Sequence, residues 1–168
     1  MSRLFFALCQ NDTVRSHFID LIRQIPGTRC VSPQNLHLTL HFIGETDAQD
    51  CLIDRAQTIR CKPFSLMIDH YGYFNRAKVF WAGPKQYPDD LAKLAHNCSI
   101  SSVACSCRDH DKSFTPHVSL MRKVSDNPEL HNFEPFEWTA HSFCLMESES
   151  NQAGVQYRMI REFPIQEK

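Results

Sequence analysis

No stretch of the 168-residue chain approaches the 18 or more uninterrupted apolar residues of a membrane-spanning helix, so no membrane span is expected. A large excess of either charge is also missing: 18 Lys and Arg stand against 19 Asp and Glu, a formal net charge of −1. Proteins that grip many phosphates along a duplex carry a strong cationic balance, so any contact with nucleic acid should here be local. Linkers and low-complexity runs are absent too, and residues 1–168 read as a single domain with ample apolar material for a core. Eight cysteines occur without the paired spacing of a zinc site; Cys105 and Cys107 form only a C-x-C pair, with Cys98 nearby. The opening MSRLFFALCQND has an apolar run too short for a secretory signal and reads as a first strand. We therefore expect a cytoplasmic chain whose cysteines remain thiols, with no metal and no cofactor.

What is present is an alternation of strands and helices. Arg3 to Leu8 is a compact apolar strand, and Asn11 or Asp12 can cap a helix carrying Val14, Phe18, Leu21, Ile22 and Ile25 at helical spacing. Leu36 to Ile43 has strand-like alternation, and a second helix runs from Thr46 or Asp47 through Leu52, Ala56 and Ile59. Pro63 to Tyr71 and Ala77 to Ala82 read as strands around a turn near Tyr73 to Arg76, followed by a helix from Pro88 to about Ser102. Three further strands, Phe114 to Met121, Phe136 to Met146 and Gln156 to Phe163, complete an α+β pattern sampled twice, which suggests two packed lobes.

Nine histidines stand out, and two of them sit in matching contexts. His37-Leu38-Thr39-Leu40 and His117-Val118-Ser119-Leu120 are each His, aliphatic, hydroxyl, aliphatic. Requiring aliphatic residues at both positions reduces the chance expectation to roughly 0.1, so two copies are informative. On a strand, His37 and Thr39 point to one face while Leu38 and Leu40 point to the other, and the second copy behaves alike. Two imidazoles across a cleft suit phosphodiester chemistry without a metal, because one can take a proton from water while the other gives one to a departing ribose oxygen. Thr39 and Ser119 can donate to the non-bridging phosphate oxygens.

With these motifs the chain resembles the bacterial and archaeal RNA 2′,3′-cyclic phosphodiesterases, also called 2′-5′ RNA ligases, of the two-histidine phosphoesterase superfamily. RLFFAL, NLHLTLHFIG, KVFWAG, FTPHVSLMR and the closing Tyr157 to Phe163 stand in that family's order. The resemblance implies a bilobal fold with pseudo-two-fold symmetry, each lobe with an antiparallel sheet, outer helices and one motif facing a central groove. It implies hydrolysis of a 2′,3′-cyclic phosphate end to a 2′-phosphomonoester and, in some members, joining of such an end to a 5′-hydroxyl as a 2′-5′ linkage without ATP. His37 would be the proton donor to the leaving 3′ oxygen and His117 the acceptor from water. Partners would be RNA ends or small cyclic nucleotides, and the chain would act as a monomer.

Arg122 matches a basic residue that follows the family's second motif, yet simple alternation turns it away from His117 unless the strand bulges or ends there. Ser119 departs from the family's usual threonine but keeps the hydroxyl. Phe74, on the turn before KVFWAG, is a candidate for stacking on a base, as is Tyr73, for which hairpin packing is the competing reading. His41 shares the His37 face if the strand stays regular, with a place at the rim as the alternative, while Trp81 is expected in the core. Other readings of the same residues are a phosphodiesterase for 2′-5′ oligoadenylate, a cyclic dinucleotide-like molecule or an ADP-ribose cyclic phosphate, or a nucleotide-binding module without turnover.

Overall fold

The computed structural model describes residues 1–27, 29–110 and 113–167. Strand β1 (Ser2–Leu8) leads into helix α1 (Asp12–Gln24), where the Val14 amide donates to the Asn11 side chain at 2.9 Å and satisfies a free donor of the first turn. Val14, Phe18 and Leu21 fall on one face of α1 and are buried, as their spacing demands. A short 3-10 turn at Pro33–Asn35 precedes β2 (Leu38–Thr46) and α2 (Gln49–Ala56). Helix α2 stops short of Ile59 because the Thr58 and Ile59 amides bond carbonyls three residues back, at Arg55 and Ala56, tightening the last turn. Next come β3 (Phe64–Ile68), β4 (His70–Phe74), β5 (Val79–Gly83) and α3 (Asp89–Ala104). The chain finishes with β6 (Val118–Arg122), β7 (Phe136–Ala140), β8 (Ser142–Asn151) and β9 (Gly154–Pro164).

Two segments that read as single strands are each divided. Pro63 to Tyr71 breaks at Asp69, whose carboxylate accepts the Lys85 amide at 2.8 Å, and Phe136 to Met146 breaks at His141. The first pieces, β3 and β7, pair with each other in a separate two-stranded ladder, while β4 and β8 enter the main sheet. That sheet has seven strands in the order β4-β5-β6-β2-β1-β8-β9, with every pairing antiparallel. The fold is α+β as expected, but the two lobes are halves of one sheet rather than owners of separate sheets. They meet where β2 and β6 pair through Leu38 and Val118 alone. Past that point the segment 29–31 covers the edge of β6, with the Val31 amide donating to the Leu120 carbonyl at 2.8 Å and the Arg122 amide to the Arg29 carbonyl at 3.2 Å.

One large apolar cluster draws on both halves and includes Phe6, Phe18, Leu38, Phe80, Val118 and Trp138, with Phe18 edge-on to Trp138 at 6.0 Å. No helix among the described residues is long and apolar enough to cross a membrane. Cys51 of α2 and Cys105 at the end of α3 form a disulfide, which corrects the expectation of eight thiols; the other six cysteines are free. Packing of α2 on α3 brings the two Cα atoms to 5.9 Å, a proximity that sequence spacing does not contain.

Two outcomes follow for stability. A Cβ added to Gly72 would stand 2.1–2.5 Å from three atoms of the Trp81 indole, so Gly72→Ala should cost about 1–3 kcal/mol and alter the fluorescence of that ring. A urea midpoint and emission spectrum identical to those of the unaltered protein would contradict this packing. Reducing the Cys51–Cys105 bridge, which spans a sequence separation of 54, should lower unfolding free energy by about 2–4 kcal/mol. Unfolding curves with and without reductant that superimpose would rule the bridge out as a stabilising link.

Candidate active site

Each motif histidine stands one residue ahead of its strand rather than inside it, since β2 begins at Leu38 and β6 at Val118. The reason is a local hydrogen bond. His37 Nδ1 lies 2.7 Å from the Asn35 carbonyl, and His117 Nδ1 lies 2.8 Å from the Thr115 carbonyl, so each ring bends back two residues to the chain that precedes it. A carbonyl only accepts, which requires the hydrogen on Nδ1 in both neutral rings. Nε2 is therefore left as the free base in each, and the two histidines carry the same tautomer by the same device.

The Leu38–Val118 pairing decides what faces what. Continued by one residue in either direction, its antiparallel register sets His37 beside Ser119 and Thr39 beside His117, all on the face opposite the buried Leu38 and Val118. A cleft of about 640 Å³ opens there and is lined by His37, Thr39, His117 and Ser119, together with Arg122 and Phe74. All six residues singled out in the sequence thus border one space, joined by Arg76 at its edge.

Arg122 arrives through a bulge. Phe80 pairs with Met121 while the next residue, Trp81, pairs with Ser119, so Leu120 is passed over and the alternation of β6 shifts by one. The shift rotates Arg122 onto the His117 face. In β2 the matching residue, Leu40, is also passed over, because Phe6 pairs with His41 and Ala7 with Thr39. The irregularity removes the condition under which His41 would share the His37 face. His41 instead borders an adjoining cavity with Thr39, His117, His96 and His110, and burial, opposed by the Asp109 charge, lowers its pKa.

Aromatic rings confine both imidazoles. Tyr157 and Phe5 approach His37 with centroids at 4.7 and 4.9 Å, while Phe74 and Trp81 approach His117 at 4.9 and 5.9 Å. Phe74 meets His117 edge-on and lies 5.2 Å from Trp81 at a shallow tilt. Burial among these rings pushes the His37 pKa down to about 4, the Asn35 carbonyl opposes that fall, and the positive charges of Arg122 and His117 add to it. The His117 pKa is lowered in the same way, first by burial and then by Arg122, against the pull of the Thr115 carbonyl. By themselves, both rings are consequently neutral near pH 7. A bound phosphodiester would bring a negative charge that offsets the arginine and draws a proton onto one of them.

Tyr73 donates its hydroxyl to the Val124 carbonyl at 2.6 Å, which assigns it to hairpin packing. Trp81 is buried as expected, yet it also serves the site by bracing His117. The supports that sequence reading missed are Asn35, Thr115, Phe5 and Tyr157. The first two were within reach, since each is two residues before a motif histidine, but nothing near position 37 announces a ring from residue 157. Among the described residues, no group of three His, Cys, Asp or Glu side chains converges in the manner of a metal ligand set.

The sequence profile of the 2′-5′ RNA ligase superfamily matches residues 12–152. An RNA 2′,3′-cyclic phosphodiesterase of Escherichia coli K12 is 34% identical, with 97% of this chain and 96% of that protein covered. One of the same name from Archaeoglobus fulgidus is 27% identical over 96% of this chain and 99% of its own length. The crystal structure of E. coli LigT complexed with 3′-AMP superposes with a TM-score of 0.89 at 27% identity, covering 98% of each chain. With a matching profile over most of its length and a relative above 30% identity, the chain belongs to the 2′-5′ RNA ligase superfamily.

Proposed function

We propose that this chain hydrolyses 2′,3′-cyclic phosphate ends of RNA to 2′-phosphomonoesters by acid–base catalysis between His37 and His117, without a metal. The observation that carries the reading is the pair of imidazoles held in one tautomer, with Nε2 free on each, in a cleft that also contains two hydroxyls and one guanidinium. The relatives named RNA 2′,3′-cyclic phosphodiesterase support the substrate class, and the 3′-AMP bound by LigT supports a nucleotide-sized ligand in this fold.

In the reaction, water adds to phosphorus and gives its proton to Nε2 of His117. The bond between phosphorus and the 3′ oxygen breaks, and that oxygen receives a proton from Nε2 of His37. Thr39, Ser119 and Arg122 donate to the non-bridging oxygens, where charge accumulates. Phe74 offers a face to a base. Solvent then returns both imidazoles to their starting protonation, and an RNA 5′-hydroxyl attacking in place of water, with the same loss of the 3′ oxygen, would yield a 2′-5′ linkage; cleavage of that linkage back to the cyclic phosphate would exchange the two histidines' roles. Burial disfavours the protonated form of His37 more than that of an ordinary histidine, so the donor's proton must be held there by the bound phosphate. We further place the protein in the cytoplasm as a monomer; its six free thiols suit a reducing setting, against which the Cys51–Cys105 bridge would have to persist.

His37→Ala and His117→Ala should each reduce turnover of a cyclic-phosphate RNA end by about 10²- to 10⁴-fold with an unchanged circular dichroism spectrum. Excess EDTA should leave the rate of the unaltered protein intact; loss of activity that a divalent ion restores would defeat the metal-free mechanism. The pH profile supplies a separate check. Both free-site pKa values are lowered from the ordinary histidine value, so the limbs of the kcat/KM bell, and its maximum, should lie on the acid side of about pH 6.5. A maximum above about pH 7.5 would show that neither lowered histidine governs the free enzyme.

A further inference from the structure

A second cavity, of about 580 Å³, opens on the other side of His37 and shares His37, Thr39 and Arg122 with the catalytic cleft. Its walls also include Arg3, Arg29, Phe42 and Tyr157, and no carboxylate lines it among the described residues. In a chain with 19 acidic residues and a net charge of −1, three arginines around one cavity without a single acid is a local segregation of charge. The arginines are also arranged. Arg3 lies over the Phe42 ring at 5.1 Å, and Arg29 is anchored by donating to the Lys123 carbonyl, while both remain exposed with donors to spare.

The chemistry of the cleft says which part of a substrate points this way. Attacking and leaving oxygens stand in line across phosphorus, so the ribose that carries the departing 3′ oxygen lies on the side of the proton donor, His37. The cationic cavity begins on that side. Resting on the proposed function, we propose that this cavity seats the nucleotide immediately upstream of the cyclic end, with Arg3 and Arg29 taking the phosphodiester that joins it to the terminal nucleoside. The site then distinguishes the end of an RNA strand from a free cyclic mononucleotide. A mononucleotide fills the catalytic cleft but offers no second phosphate to the arginines, whereas a dinucleotide satisfies both.

The test compares kcat/KM for adenosine 2′,3′-cyclic phosphate with that for the adenylyl-adenosine dinucleotide bearing the same cyclic end. The dinucleotide should be favoured about tenfold, the worth of one charge-assisted contact, and the preference should shrink as salt rises. Arg3→Gln and Arg29→Gln should each collapse that ratio toward one. Equal rates on the two substrates in the unaltered protein, or variants that slow both substrates to the same degree, would overturn the assignment while leaving the proposed function in place. Absence of turnover on either substrate would instead overturn the functional reading itself, and the subsite with it.

Discussion

The antiparallel meeting of Leu38 with Val118 is the constraint on which the rest of the molecule depends. Both residues are fully buried, so the pair is held by the shared apolar core and not by a long ladder. Because each is preceded by a histidine and followed by a hydroxyl residue, this one contact delivers four polar side chains to a common face. A slip of one residue would turn them into the core and bring the aliphatic residues to solvent, an exchange that costs both apolar burial and buried polar groups. Hydrophobic packing is therefore what fixes the geometry of the proton-transfer groups.

The site is tuned first by burial and then by the Arg122 charge. Among the described residues neither imidazole has a carboxylate to orient it; each is turned by a backbone carbonyl and enclosed by aromatic rings. Carbonyls fix the tautomer without bringing a full negative charge, and the rings keep water from solvating an imidazolium. Arg122 then works in two directions, repelling a proton from both imidazoles and attracting the phosphate that later admits one.

Period-two alternation made the order of elements, the α+β class and the two motifs legible, because Leu38, Leu40, Val118 and Leu120 alternate with polar residues over a stretch too short for a helix. The helix ending near Gln24 was equally plain from the cap at Asn11 and the face of Val14, Phe18 and Leu21. What sequence could not supply depends on pairing between distant segments. Leu40 and Leu120 look like regular strand residues until β1 and β5 are laid against them and pass them by, and only then does Arg122 change faces. The breaks at Asp69 and His141 arise because β3 and β7 find each other across some 70 residues of chain, and the Cys51–Cys105 bridge depends on how two helices dock. The hydroxyls and imidazoles, and the Asn35 and Thr115 carbonyls two residues ahead of them, could be named from one strand at a time, whereas the rings of Phe5 and Tyr157 could not.

The ladder between β3 and β7 carries a mechanical consequence. It runs from the strand entering β4, at the border of one half-sheet, to the strand entering β8, deep in the other, and so closes a loop around the lone central junction. A junction of one residue pair does little by itself to set the angle between the half-sheets, which the shared core and the cover of residues 29–31 on β6 must also hold. The five-pair ladder from Phe64–Ala140 to Ile68–Phe136 adds a second hydrogen-bonded tie between the halves. The spacing of the two proton carriers thus depends in part on strands that do not line the cleft.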